Sequence, residues 1–205
     1  MNGWALTALT LYVAWTMTAF GVRGAMQQRR TGDTGFRGIS GRPGSPPWWA
    51  GVLFVLALLG GAAAPVAALF GLPALSGDEM PAVRWAGLVI ALAGIGATLM
   101  AQTNMGASWR VGVDAAERTD LVTTGLFTHV RNPVFTAMTA TAVGLALMVP
   151  NVIAVIALGL LLFAIELQVR VVEEPYLSGV HGQAYGLYSA RTGRFLPGVG
   201  RRQDA

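Results

Sequence analysis

The sequence predicts an all-α integral membrane fold: five transmembrane helices, the last two forming a C-terminal helical hairpin, with a cytoplasmic pocket at the membrane surface. Three observations predict it. Hydrophobic residues make up 54% of the 205 residues and charged residues only 12%, about half the charged share of an average soluble domain. Mean hydropathy is +0.55. The apolar residues fall in runs of roughly 20, the length that crosses about 30 Å of hydrocarbon, and the ionisable residues collect between the runs. The spans use up most of the length, so residues 1–205 form a single membrane domain.

The first span covers residues 4–22, with Trp4, Tyr12 and Trp15 along it. It lacks the basic start of a signal peptide and is long for the apolar part of one, so it reads as a retained helix. Residues 23–47 carry five arginines among Gly, Ser and Pro, a composition that builds no core and reads as a loop with a helical start near Gln27 and Gln28. The second span, 48–70, begins with Trp48 and Trp49 as an interfacial anchor and holds Pro65, an expected kink. A short turn with Asp78 and Glu79 follows. The third span, 82–101, contains Gly87, Gly94 and Gly96, which invite close approach of a neighbouring helix. Span four, 133–149, opens with Pro133 in the first turn, where its missing N–H does no harm, and Asn132 is placed as its cap. Pro150 and Asn151 turn the chain into span five, 152–172, whose last turns are charged and leave the hydrocarbon. The tail is amphipathic and then basic.

Every one of the 14 basic residues is arginine. If the loops alternate, thirteen of the 14 fall on one side and only Arg84 on the other. The positive-inside rule then places the N-terminus outside and the C-terminus in the cytoplasm, in the cell's inner or plasma membrane. The isoelectric point near 10.3 needs no nucleic acid partner, because arginines flank the spans and no basic run is interleaved with aromatics. With no cysteine and two histidines, disulfides are excluded and a Cys/His metal site has almost no raw material, so no metal is expected.

The chemistry concentrates in residues 119–188. On an α-helix Glu166, Arg170, Glu173 and Leu177 share one face, with Glu174 at its edge. An ionisable group at membrane depth is costly and normally faces a bundle interior or a watery cavity, which makes Glu166 a functional candidate. The plain alternative is an i,i+4 ion pair marking the helix exit, contributing a few tenths of a kcal/mol. Topology returns residues 120–132 to the same side. Gly125 allows a tight turn, Thr123 and Thr124 bring hydroxyls, the helix start at Pro133 offers N–H groups to an anion, and Phe127 and Phe135 offer flat faces to a ring. Together the clusters suit a zwitterionic, nucleotide-like cofactor whose other face opens to lipid.

Two motifs carry a resemblance. LVTTGLFTHVRNPVF resembles LVTSG-x-Y-x-x-x-RHP-x-Y, and EEPYLSGVHGQAYGLY resembles EE-x-x-L-x-x-x-x-G-x-x-Y-x-x-Y, signatures of the isoprenylcysteine carboxyl methyltransferase family and its prokaryotic relatives. The likeness runs from Gly106, Trp109 and Arg110 to Pro197, making 102–197 the catalytic part. It implies an S-adenosylmethionine-dependent methyltransferase that binds its cofactor at the cytosolic face and takes a lipophilic or lipid-linked acceptor from the surrounding membrane lipids, for carboxyl-, O- or N-methylation. Carried over by position, it implies cofactor contacts at Thr119, Asp120, Leu121, Val122, Phe127, Asn132, Pro133, Phe135, Glu173 and Glu174. Arg170 lies within one residue of the family's substrate-side arginine, and Glu166 is the candidate base. The sequence departs from the signatures at Asn132, where the family has histidine, and at Phe127 and Phe135, where it has tyrosine. Stacking and hydrogen bonding survive those changes more easily than a proton relay does. Two rival readings share the hairpin or the composition: an NADPH-dependent membrane reductase of the steroid 5-alpha-reductase-like type, and a non-catalytic membrane scaffold.

Overall fold

The computed structural model describes residues 2–75, 81–112 and 118–202; Asp78 and Glu79 lie outside them. The first helix, α1 (Asn2–Thr16), passes through a π-helical turn, Met17–Val22, into α2 (Arg23–Thr31). Then come α3 (Pro46–Leu69), α4 (Pro81–Met105), α5 (Pro133–Met148) and α6 (Val152–Leu167), and a second π-helical turn, Gln168–Glu173, leads into α7 (Glu174–Arg191). Among the described residues, four helical stretches are long and apolar enough to cross a membrane: Asn2–Thr31, Pro46–Leu69, Pro81–Ser108 and Val152–Arg191. The chain is an integral membrane protein. At 16 residues α5 is shorter, about 24 Å at 1.5 Å per residue.

The bundle has two distinct ends. Trp4, Ala68, Arg84 and Pro150 line one small recess, so the N-terminus of α1, the C-terminus of α3, the N-terminus of α4 and the α5–α6 turn lie together. There the Leu75 N–H donates to the Pro150 carbonyl at 2.8 Å and Asn151 Nδ2 donates to the Ala64 carbonyl at 2.9 Å. Asn151 also caps α6, its Oδ1 accepting from the Ala154 N–H at 2.9 Å. Asn132 does not cap α5 in that way. Its Nδ2 donates to the Arg194 carbonyl at 3.1 Å, because the C-terminal segment lies across it.

Within the bundle α5 packs on α4 and α6 on α3, with α1 against α3. Glycines set the first of these contacts. A Cβ at Gly87 would lie 2.6 Å from the Gly144 carbonyl oxygen, and one at Gly94 would lie 2.6 Å from the Thr141 nitrogen. Gly96, expected to share this role, faces open space. Tyr12, Trp15, Ala19 and Met138 form a buried core joining α1 to α5, and α3 continues through Pro65 to Leu69.

The first π turn anchors α2 to the loop beyond α4. The Ala19 carbonyl accepts from Gln102 Nε2 at 3.0 Å, buried Arg23 donates to the Gly106 carbonyl at 2.6 Å, and Gln27 donates to the Ala107 carbonyl at 2.8 Å. The Arg23 guanidinium also lies 5.0 Å from the centre of the Trp109 ring. A carbonyl and an aromatic face offset part of the cost of burying this cation, and the contact fixes Trp109 beside Arg110.

Candidate active site

A cavity of about 470 Å³ opens at the end of the bundle where α2, α4 and α6 finish, within the range of small-molecule sites. Thr119, Asp120, Leu121, Val122, Phe127, Asn132, Pro133, Phe135, Glu173 and Glu174 all line it. The corner at Asn132 and the end of the hairpin at Glu173 therefore share one space. Thr123 and Thr124 are not in its wall.

Glu166 and Arg170 are not in the wall either. They pair with each other on an exposed surface, the Arg170 Nε donating to Glu166 Oε2. The physical reason is the π turn at Gln168–Glu173. In a continuous α-helix the seven residues from Glu166 to Glu173 bring the second almost back over the first. An i→i+5 turn takes up about one extra residue and rotates the helix beyond it by roughly 100°. Glu173 and Glu174 are turned into the cavity and Glu166 and Arg170 are left outside.

The two glutamates differ. Glu174 is buried with both oxygens occupied: Oε1 accepts from Arg131 Nη2 at 2.7 Å and Arg194 Nε at 2.8 Å, and Oε2 accepts from Arg194 Nη2 at 2.9 Å. This pairing raises the pKa of Arg194 further above its ordinary value, through its hydrogen bond to the carboxylate first. Glu173 is half-buried and, among the described residues, receives a long contact from Gln168 Nε2 at 3.5 Å.

Arg131 was visible in the sequence only as the first residue of the RNP triplet, and it organises this end of the molecule. Besides Glu174 it donates to the carbonyls of Ser189 at 3.0 Å, Thr192 at 2.8 Å and Gly200 at 3.1 Å. Backbone bonds from Arg131 N to the Gly193 carbonyl (2.8 Å) and from Asn132 N to the Arg194 carbonyl (3.1 Å) tie the same two segments.

Arg110 lines the cavity and donates to Thr119 Oγ1 at 2.9 Å and to the Tyr176 hydroxyl at 3.1 Å, its guanidinium 5.3 Å from the centre of the Tyr176 ring. Tyr185 and Tyr188 reach the cavity because α7 breaks at Gly182 (φ 48°, ψ −121°), a conformation that a Cβ opposes. A straight helix would carry Tyr188 about 20 Å away from Glu174. Instead its hydroxyl donates to the Phe127 carbonyl at 2.7 Å and holds that ring in the wall. Gly182, Tyr185 and Tyr188 are the glycine and tyrosines of the second signature.

The other wall is apolar and comes from the N-terminal half: Phe20, Ile39, Phe54, Val55 and Leu58 face Val134, Phe135 and Met138. Nothing in the composition of the first loop pointed to this. Among the described residues no group of three or more His, Cys, Asp or Glu side chains is placed to hold a metal ion.

Residues 82–184, half of the chain, match the phospholipid methyltransferase family. The chain belongs to that family. No curated protein sequence matches the chain. The phospholipid methyltransferase family is one of integral membrane methyltransferases like the group whose signatures the C-terminal half carries. The matched stretch runs from α4 into α7, so it takes in the polar wall of the cavity. The apolar wall supplied by the first π turn, the first loop and α3 lies outside the matched stretch.

Proposed function

We propose that this chain is an S-adenosylmethionine-dependent methyltransferase acting on a lipophilic acceptor drawn from the bilayer. The observation that carries the reading is one cavity with two chemistries: a charged wall at the end of the bundle and an apolar wall running between the helices. The residues present suit the methyl donor. Asp120 and Glu173 bring carboxyl groups that can meet a cationic group, Arg110 can meet a carboxylate, and Phe127, Phe135 and Tyr176 offer ring faces. When bound, the donor supplies a sulfonium methyl already activated for transfer, so the protein needs neither a nucleophile nor a metal of its own.

The work left to the chain is alignment and exclusion of water. Thr119 and Tyr176 hold Arg110 in place. Tyr188 fixes Phe127, and the Arg131–Glu174–Arg194 cluster fixes the wall that carries Glu173. In this reading Glu174 is a positioning residue, its carboxylate committed to two guanidiniums. Glu173, whose carboxylate faces the cavity, is the group that can orient an amine or hydroxyl acceptor and take its proton. Glu166 and Arg170 mark the helix exit and take no part. In this reading the cavity opens to the cytoplasm and the N-terminus lies outside, which the arginine bias supports, and α5, which joins the same two ends of the bundle as the long apolar helices, serves as a fifth crossing.

The test is transfer itself. Protein in membranes, incubated with S-adenosylmethionine deuterated at the methyl group, should move that label into the lipid fraction, read by mass spectrometry, and Glu173→Gln should reduce the transfer at least tenfold. Label confined to unreacted donor over many enzyme equivalents contradicts the proposal.

A further inference from the structure

Most residues of the cavity wall are buried or half-buried. Asp120 is exposed at the polar end of the cavity, and at its apolar end Phe36, Gly38 and Ile39 of the first loop and Val55 of α3 are exposed as well as cavity-lining, Phe36 at 46% and Ile39 and Val55 at 45% each. Positions that line a cavity and are also exposed mark its mouth. Ile39 sits on Gly51 of α3, where an added Cβ would come 2.8 Å from Ile39 Cγ2, so loop and helix meet with one side chain between them.

The mouth faces lipid. Trp48 and Trp49, with ring centres 4.8 Å apart, start α3 and place its first turn at the membrane interface. Val55 lies six residues further along, about 9 Å deeper at 1.5 Å per residue. Backbone bonds hold the loop over the mouth: Arg37 N donates to the Val111 carbonyl at 3.0 Å and Val111 N donates to the Gly35 carbonyl at 2.8 Å. On either side of those bonds, glycine recurs at every third position, 32, 35, 38, 41 and 44, each with φ between 71° and 86°. Such a backbone turns repeatedly without side-chain bulk and leaves two large apolar groups of the loop at the opening, Phe36, whose ring meets Trp109 edge-on, and Ile39, which meets α3. This wall lies outside the stretch shared with the phospholipid methyltransferase family, which is where a feature that sets the acceptor, rather than the transfer chemistry, belongs.

We propose that Ile39, seated on Gly51, and Val55 form a lateral doorway in which one hydrocarbon chain of a membrane lipid lies with its head group in the cavity, and that Ile39 sets the girth of the chain admitted. The fate of the head group rests on the methyltransferase reading; binding of the chain does not.

The experiment uses the full chain in phosphatidylcholine nanodiscs doped with a phosphatidylethanolamine that carries a diazirine near the carboxyl end of one acyl chain. Irradiation followed by peptide mapping should place adducts on the peptides containing Ile39 and Val55. Ile39→Trp and Val55→Trp, either of which fills the mouth, should lower that labelling at least tenfold, whereas Val89→Trp on the outer face of α4 should not. Ile39→Ala should raise labelling by a bulkier diazirine-bearing polyprenyl probe severalfold over wild type. Adducts confined to outward faces such as Val89 and Leu92, or doorway adducts unchanged in both tryptophan variants, overturn the proposal. Doorway labelling in a protein that binds no S-adenosylhomocysteine would support the doorway and overturn the methyl-transfer reading.

Discussion

Replacing Arg131 by alanine is the sharpest perturbation of the wall that carries Glu173. The side chain is 2% exposed and donates to Glu174 and to the carbonyls of Ser189, Thr192 and Gly200. Removing one partner of a buried ion pair costs about 3–5 kcal/mol, and each buried carbonyl left without a donor adds about 1–3 kcal/mol. The tail can come away and rehydrate those carbonyls, so local opening limits the loss to the lower figure. At 1.4 kcal/mol per tenfold, 3 kcal/mol is about a hundredfold rise in the open population. Hydrogen exchange reads it directly. The amides of Arg131 and Asn132, bonded to Gly193 and Arg194, and that of Arg202, bonded to Ser189 at 3.1 Å, should lose about a hundredfold protection while those inside α4 and α6 keep theirs. Arg131→Lys should recover only part of it, since a point charge cannot reach four acceptors at once. Unchanged protection in Arg131→Ala would mean that the guanidinium holds nothing in place.

Further outcomes rest on the same geometry. Gly94→Ala drives a Cβ to 2.6 Å from the Thr141 nitrogen and should destabilise the bundle by about 1–3 kcal/mol in a thermal-shift assay, whereas Gly96→Ala, facing open space, should leave the midpoint near wild type. Gly182→Ala should cost about 1–3 kcal/mol of backbone strain and weaken S-adenosylhomocysteine binding by displacing Tyr185 and Tyr188, while Gly179→Ala, in open space at a helical position, should bind normally. In the first loop, Asp33 is held down to about 2 by its hydrogen bonds with Arg37 and the Gly35 N–H. A depressed carboxylate stabilises above its unfolded value of about 3.9 and loses that contribution as pH falls through its folded value. Resistance of the loop to acid protease should therefore persist to about pH 4 and decline toward pH 2, and Asp33→Asn should abolish the pH dependence.

The four long apolar helices were legible because hydrocarbon thickness imposes a run length that composition displays directly. Their irregularities were not. Nothing in MTAFGV or QVRVVE announces a π turn, so extending the α-helical period through Gln168–Glu173 put Glu166 and Arg170 on the face of Glu173 when one extra residue turns them away. The polar wall was legible as motif: all ten cofactor positions carried over from the signatures line a single cavity. Arg131, Gly182, Tyr185 and Tyr188 lay inside those signatures without an assigned role: the work of Arg131 and Tyr188 is done through contacts 43 to 69 residues distant in sequence, and the break at Gly182 that brings Tyr185 to the cavity is not encoded in local pattern. Asn132 and Asn151 are equally good caps on paper, and tertiary contact with Arg194 decides between them. The first loop was the largest gap. Its composition predicts absence of a core, which holds, but a segment without a core can still be laid over a cavity by two backbone bonds to Val111.

Calorimetric titration of the purified protein with S-adenosylhomocysteine, run beside NADPH, decides whether the cavity between Asp120 and Glu173 is a methyl-donor site. Saturable one-to-one binding of S-adenosylhomocysteine, weakened at least tenfold by Glu173→Gln and with no saturable heat from NADPH, is the predicted result. Saturable binding of NADPH with none of S-adenosylhomocysteine would contradict the account.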